Sequence, residues 1–397
     1  MFFSRKPKAE QKAAVTLTSA EAFEIFGARP TVTGAFITTG AALRVPAVAC
    51  AVGLIAETVG ALPVKIFDAG KLTRRDHPAY RLIHDEANPW TSAAELRAQL
   101  TADALLNDHG GFALVVRASD GRPLELHRLD PAAVRLDAAP DGSPLYIVAT
   151  NTGPASYGFA DVLHVRAFGG SPISLGREAI ALAIAFEDHI GSLFRNGGRP
   201  SGIIKSPKIL DVDAKRKLAA SWFTTHSGRN SGGTAILDEG MDYQALSATL
   251  ADSQFAENRL EQIREIARAF RIPVTMLGEL SRGTWSNLEE QNRQFLQFTL
   301  RPWLRAWEWA YARCLLTPDE RRELTAEFVT DDLLTTSHAA RATAYGQYRA
   351  MSAMTANEVR AGLNLPAHPD GDTLENPHIT TGGKSETVSP LPDEESA

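Results

Sequence analysis

The sequence predicts an α+β fold in which short, mostly antiparallel strands occupy the first half and long helices the second. Three observations carry that prediction. The chain has 397 residues, 44% hydrophobic and 22% charged, enough for two or more compact regions. Short runs rich in β-branched and aromatic residues, separated by turn residues, recur between Val64 and Arg166. From Arg177 onward apolar residues return at steps of three and four, and that period lasts longest between Asp252 and Leu316.

Composition excludes several function classes. A net charge of −6 argues against a protein that grips nucleic acid over its whole surface, though not against one past which a duplex slides. Cys50 and Cys314 each sit within an apolar helical pattern, so both are expected to be buried free thiols. Arg5, Lys6, Lys8 and Lys12 follow two phenylalanines, without the apolar core of a signal peptide. The run from Val45 to Ala56 is interrupted by Pro46 and falls short of the ~20 residues that cross a bilayer. The expectation is a cytosolic protein, or part of a particle assembled there, with no membrane partner.

In order along the chain, residues 1–44 are Ala-, Thr-, Gly- and Lys-rich with weak periodicity, an arm expected to order only on contact. Val45, Val48, Val52, Ile55 and Val59 predict a core helix, and Ala61-Leu62-Pro63 breaks it ahead of a strand at Val64–Phe67. His77-Pro78 opens a helix closed by Ala87-Asn88-Pro89, and Ser92 with Glu95 forms the capping box of the next. Strands follow at Leu114–Arg117 and Leu124–Leu129 across an Asp120-Gly121 turn, then at Val134–Leu136, Leu145–Ala149 and Asp161–Arg166. A helix is predicted over Arg177–Arg195, ended by Asn196-Gly197-Gly198. A small insert comes next: a strand at Ile203–Lys205, a helix at Asp213–His226, a glycine-rich loop and a strand at Thr234–Leu237.

Phe255, Arg259, Ile263, Ile266 and Phe270 share one helical stripe, and Glu261/Arg264 and Glu265/Arg268 pair on the opposite face. Pro273 stops this helix. After the loop Ser281–Asn287, Ser286 and Glu289 cap a long helix whose face runs through Leu288, Phe295, Thr299, Trp303, Trp307, Ala310 and Cys314. Its apolar pattern resumes in phase beyond Pro302, so proline should bend the rod rather than end it. Trp303, Trp307 and Trp309 lie on adjacent faces, which predicts cover from more than one side, including from another copy. Thr317–Glu320 is a further capping box, Glu327–Val329 a short strand, and helices are predicted at Ser337–Met351 and Thr355–Gly362. From His368 onward Pro, Gly, Glu and Ser dominate.

Motifs of chemistry are missing. Gly197 and Gly202 have phosphate-loop spacing, but Ile203-Ile204 stand where Lys and Ser/Thr are required. The sequence holds neither G-x-S-x-G nor H-E-x-x-H, and its ten histidines form no i,i+4 pair. Asp211/Asp213 and Asp370/Asp372 read more simply as a cap and a tail loop than as cation ligands. The expectation is no catalytic residue, no metal and no cofactor.

The order of parts resembles the portal proteins of tailed bacteriophages and phage-like gene transfer agents. The residues that carry the likeness are Ile266-Ala267-Arg268-Ala269-Phe270-Arg271-Ile272-Pro273, then Met276-Leu277-Gly278, Thr284-Trp285-Ser286-Asn287 and Thr299-Leu300-Arg301-Pro302. Asn357-Glu358-Val359-Arg360 followed by Gly362-Leu363-Asn364-Leu365-Pro366 adds to it, as does the segment from His77 to Leu96. One departure is His109-Gly110-Gly111-Phe112-Ala113, which lacks the family's asparagine but keeps an aromatic.

The resemblance implies a layout: a flexible arm (1–44), an α/β wing (45–176), a first stem helix (177–199), a small α/β clip (200–250) and a second stem helix (251–273). A tunnel-loop region (274–287), a long kinked helix returning to the wing (288–330), a short helical crown (331–367) and a flexible tail (368–397) complete it. It further implies a homo-oligomeric ring, usually of twelve copies, at one capsid vertex. Its partners would be the major capsid protein, the terminase motor, a head–tail adaptor and double-stranded DNA passing without sequence specificity. Ser281, Arg282, Gly283, Thr284, Trp285, Ser286 and Asn287 would then touch DNA in the channel. As residues alone they read equally as a helix–helix connection with Trp285 tucked inward.

Lys205, Lys208, Lys215, Arg216 and Lys217 form the one basic cluster of the folded body, either a solvated face or, at a ring's narrow end, a docking patch. The rival readings are a head–tail adaptor or minor head protein of the same particle, and an unrelated α+β enzyme with dispersed site residues.

Overall fold

The computed structural model describes residues 31–34, 36–195, 202–207, 211–226, 240–245, 249–279, 288–330, 338–363 and 365–377. They fall into two compact units, one ending at Val329 and one beginning at Thr330.

The first unit is built around two packed helices, α2 (Pro46–Ala61) and α4 (Ala93–Leu106). Valine and isoleucine at 48, 52, 55 and 59 form the buried stripe of α2, as their spacing predicts. The helices touch closely at Gly60, where a Cβ would meet the Ala94 carbonyl at 2.8 Å. Leu62-Pro63 then turns the chain into β1 (Val64–Asp68), which pairs antiparallel with β12 (Leu324–Phe328), Val64 facing Phe328, so the two ends of the unit are sewn together. Helix α1 (Thr39–Leu43), capped by Thr38 Oγ1, precedes α2, and the Val32 N–H donates to Glu178 Oε2 at 3.0 Å. The described residues before position 44 are thus folded onto the body, contrary to an arm ordered only on contact.

Helix α3 (Pro78–His84) starts where His77 Nδ1 accepts from the Ala79 N–H, and ends before the β2 (Glu86–Asn88) and β3 (Thr91–Ser92) pair. Ser92 Oγ accepts from the Glu95 N–H at 3.1 Å, while the Glu95 side chain turns to Gln99, so only half of the expected capping box forms. One sheet has the order β5–β4–β9, from Pro123–Leu129, Gly111–Arg117 and Val162–Val165; Gly121 (φ +85°) makes its hairpin turn. A second has the order β6–β7–β8, from Val134–Ala138, Pro144–Thr150 and Gly153–Tyr157. Strand β8 is absent from the sequence reading because Gly-Pro-Ala-Ser lacks strand formers; as an edge strand it tolerates Pro154. Phe112, Val134, Tyr146, Val148 and Val162 fill the space between these sheets.

After α5 (Pro172–Leu175), helix α6 (Arg177–Arg195) packs along α8 (Thr249–Phe270). Between them lie β10 (Gly202–Lys205), α7 (Val212–His226) and β11 (Asp242–Ala245), with β10 and β11 antiparallel. The strand expected at Thr234–Leu237 lies outside the described residues. Arg271 (φ +57°) and Pro273 end α8.

The rod that follows is α9 (Leu288–Gln294), a π-helical turn (Phe295–Leu300) and α10 (Arg301–Leu315). Pro302 cannot supply the N–H that Phe298 would receive in an α-helix, and the chain answers by widening the preceding turn, with the Arg301 N–H reaching the Leu296 carbonyl. The expected interruption is therefore a π turn ahead of the proline. Thr317 and Glu320 exchange the reciprocal bonds of a capping box before α11 (Glu320–Glu323).

Cys314 is buried, but Cys50 is exposed. It sits two residues after Val48, off the stripe that α2 turns inward, which corrects the expectation of a second buried thiol.

In the second unit α12 (His338–Ala350) precedes α13 (Ala356–Gly362), whose Thr355–Glu358 capping box forms fully, at 3.1 and 2.7 Å. Asn357 holds the chain beyond it, donating to the His368 carbonyl and to Asp372 and accepting from the His368 N–H. The described tail residues 368–377 are thus tied to α13, despite a composition that predicts no structure.

Candidate functional site

The segment Ser281–Asn287 lies outside the described residues. Both of its anchors are described. On the α8 side the Glu279 carboxylate is buried 3.8 Å from Arg264, and Thr275 Oγ1 donates to Gln291 Oε1 of α9 at 2.5 Å. Thr299 Oγ1 of the π turn donates to the Arg271 carbonyl. Alongside, Glu261 pairs with Arg264 and Arg268, and Glu265 with Arg268, the ladder the sequence predicts. These partners hold the Glu261 carboxyl below its ordinary range.

The basic cluster falls in the insert as expected. Lys205 on β10 and Lys215, Arg216 and Lys217 on α7 are all exposed, and none pairs with a carboxylate among the described residues; Lys208 lies outside them.

The three rod tryptophans do not act together. Trp307 is 0% exposed: its Nε1–H donates to Thr101 Oγ1 at 2.9 Å and its ring lies 5.1 Å from Tyr311. Trp303 is nearly as covered. Only Trp309, 61% exposed, has surface to offer another molecule. The joint role in subunit packing expected of Trp303, Trp307 and Trp309 is therefore corrected for the first two. Positions 303 and 307 share the inward stripe, and 309 is turned away from it.

Trp309 borders a groove of about 840 Å³ that runs beside α10, the π turn and the chain from Arg166 to Leu175. On its lining, the His164 ring stacks on Phe112 at 4.6 Å, meets the Tyr146 hydroxyl through Nδ1 at 3.1 Å, and places Nε2 2.7 Å from the His109 carbonyl. Burial pushes His164 down to about 4, so it is neutral at pH 7. Phe112 keeps the aromatic packing expected of it even without the family's asparagine.

Other perturbed groups are explained by structure. Burial raises Glu308, Tyr311 and Cys314; Tyr311 packs beside Arg97, whose buried guanidinium donates to the carbonyls of Gly60, Leu62 and Ile83. No group of three His, Cys, Asp or Glu side chains could hold a metal among the described residues. Neither the groove nor the buried Arg97 was anticipated; the one sequence signal for the groove is Phe168, an aromatic stranded before Gly169-Gly170.

Comparison with known proteins gives a consistent outcome. The family model described as phage portal protein matches residues 46–364. The portal protein of Enterobacteria phage HK97 is 28% identical over 345 residues, 83% of this chain and 81% of that one. Among solved structures, a chain from the neck of an empty gene transfer agent (GTA) particle, computed with C6 symmetry, matches at 24% identity with a TM-score of 0.61. It covers 89% of this chain and 100% of its own. A chain from the neck of a native GTA particle, computed with C12 symmetry, matches at 25% identity and a TM-score of 0.58, covering 83% and 94%.

Proposed function

The chain belongs to the phage portal protein family, and from that premise we propose that copies of it close into a twelvefold ring at one vertex of a tailed-phage-like capsid. Portal proteins are structural parts of the particle, and DNA enters and leaves through their channel. The match over most of the chain favours neither an adaptor nor an unrelated enzyme.

The observation that carries the finer reading is one of arrangement. Helices α6 and α8 pack together and flank a small α/β insert, and α8 leads through residues 280–287 into the rod. In this reading α6 and α8 are the stem, residues 200–250 the clip, and Ser281–Asn287 the loop that lines the channel. Residues 45–176 and 288–330 form the wing facing the major capsid protein, and 331–367 a short crown. Small polar groups and a single Arg282 suit weak phosphate contacts that a moving duplex makes and breaks. The exposed lysines and arginine of the clip suit an acidic docking surface, on the terminase first and the head–tail adaptor later. Assembly would take place in the bacterial cytoplasm.

Shortening the 281–287 loop tests the assignment. Rings are expected to assemble as before while the DNA content of particles falls; unchanged DNA content would remove the loop from the channel. Lys215→Ala/Arg216→Ala/Lys217→Ala is expected to spare the ring and weaken terminase or adaptor attachment, and normal packaging and tail joining would dispose of the docking patch.

A further inference from the structure

A ring with rotational symmetry requires every copy to present two different faces, one that receives and one that enters. The groove beside α10 has the character of a receiving face. Phe168, Leu175, Phe298 and Trp309 stand at it 89%, 62%, 61% and 61% exposed, a cluster of bare apolar side chains of the kind that marks an interaction site. Their backbone positions are set by the fold. Phe298 and Trp309 are fixed on the rod. Phe168 precedes a turn through Gly169 (φ +80°) and Gly170 (φ +109°), pinned by Asp108, which accepts from the Ser171 N–H at 2.9 Å and the Ser174 hydroxyl at 2.7 Å.

Four arginines also line the groove: Arg305 pairs with Glu308 and Arg313 donates to the Val162 carbonyl, whereas Arg166 and Arg271 are exposed and have no carboxylate partner among the described residues. The chain as a whole carries a net charge of −6, so the surface of a second copy is on balance complementary to them. Four exposed apolar side chains suit protein, and two arginines without a carboxylate partner among the described residues fall short of the row of cations that a phosphate backbone requires.

We propose that this groove receives the neighbouring copy of the same chain, through an apolar knob flanked by acidic side chains. The inference rests on the ring reading and names the face that closes it. A Phe298→Ser/Trp309→Ser variant of the full chain tests it, compared with wild type by native mass spectrometry and by a thermal melt. Both side chains face solvent in the single subunit, so the melt of an unassembled variant should match that of unassembled wild type. Association is expected to weaken by about 30-fold or more, the size of a lost aromatic hot spot, leaving monomers at concentrations where wild type forms rings. Arg166→Glu/Arg271→Glu should weaken it in the same direction. Normal rings from both variants would overturn the proposal. So would normal rings that fail to bind an adaptor, since the groove would then serve that partner.

Wild type that forms no ring at all would refute the ring reading instead. A photo-crosslinking residue at position 298, activated in cells producing the particle, then judges the groove separately. An adduct of two copies supports it, and an adduct within one copy or with a different protein overturns it.

Discussion

The α/β body and the helical pair that leaves it are finished to different degrees. In the α/β body, Trp307, Tyr311, Phe112, Tyr146 and Arg97 are almost entirely buried, and Trp307, Tyr146 and Arg97 have hydrogen-bond partners. Along α8, by contrast, Ile266, Ala267 and Phe270 are buried, while Glu257, Asn258, Arg259 and Leu260 toward its start are exposed. Helix α6 behaves likewise from its other end: Ile180 and Ala181 are buried, and Glu187, Asp188 and His189 are exposed. Burial fades with distance from the α/β body. The α/β body carries its own core, whereas the helical pair bears solvent-open ion pairs along α8 and leaves apolar positions such as Leu182 and Leu260 uncovered. A subunit built this way has a finished core at one end and uncovered surface at the other.

Substitutions can break or sharpen that contrast. The largest effect is expected for Trp307→Ala, which empties a fully buried site of the α/β body and should cost about 3–5 kcal/mol of unfolding free energy, read as a lower denaturation midpoint. Next comes acid. His164 titrates near 4 in the fold against an ordinary 6.5, so below pH 6.5 the unfolded chain takes up a proton that the native chain refuses until about pH 4. Its contribution is complete above pH 6.5 and is lost as pH falls through that window, by at most about 3 kcal/mol. Denaturation curves between pH 7 and 4.5 should show this slope in wild type and a flatter one in His164→Phe.

Thr101→Val is expected to cost about 1–2 kcal/mol, because it leaves the buried Trp307 N–H without an acceptor. Smallest of all, Arg268→Ala should leave the melting midpoint of the unassembled chain unchanged, since its ion pairs with Glu261 and Glu265 are open to solvent. A large loss there would mean that the α8 ion-pair ladder does more for the subunit than its exposure suggests.

Much of this architecture is legible in the sequence because local rules govern it. The valine stripe of α2, the Asp120-Gly121 hairpin, the Thr355–Glu358 box and the Glu261–Arg268 ladder each depend on residues close in the chain. What escaped depends on distant neighbours. Periodicity shows that Trp303, Trp307 and Trp309 sit on a helix, but which of them is covered was decided by α4, which supplies Thr101 to Trp307. Cys50 was misplaced because an alanine-rich helix offers several near-equivalent faces. The groove was invisible because its walls come from four separated stretches of chain.

Single-particle imaging of the purified full-length chain tests the central claim most directly. The account predicts closed rings with a central opening wide enough for a duplex, each wing folded as a unit and Trp309 covered by the adjoining subunit. A population of stable single subunits at every concentration, with Trp309 still bare, would contradict it.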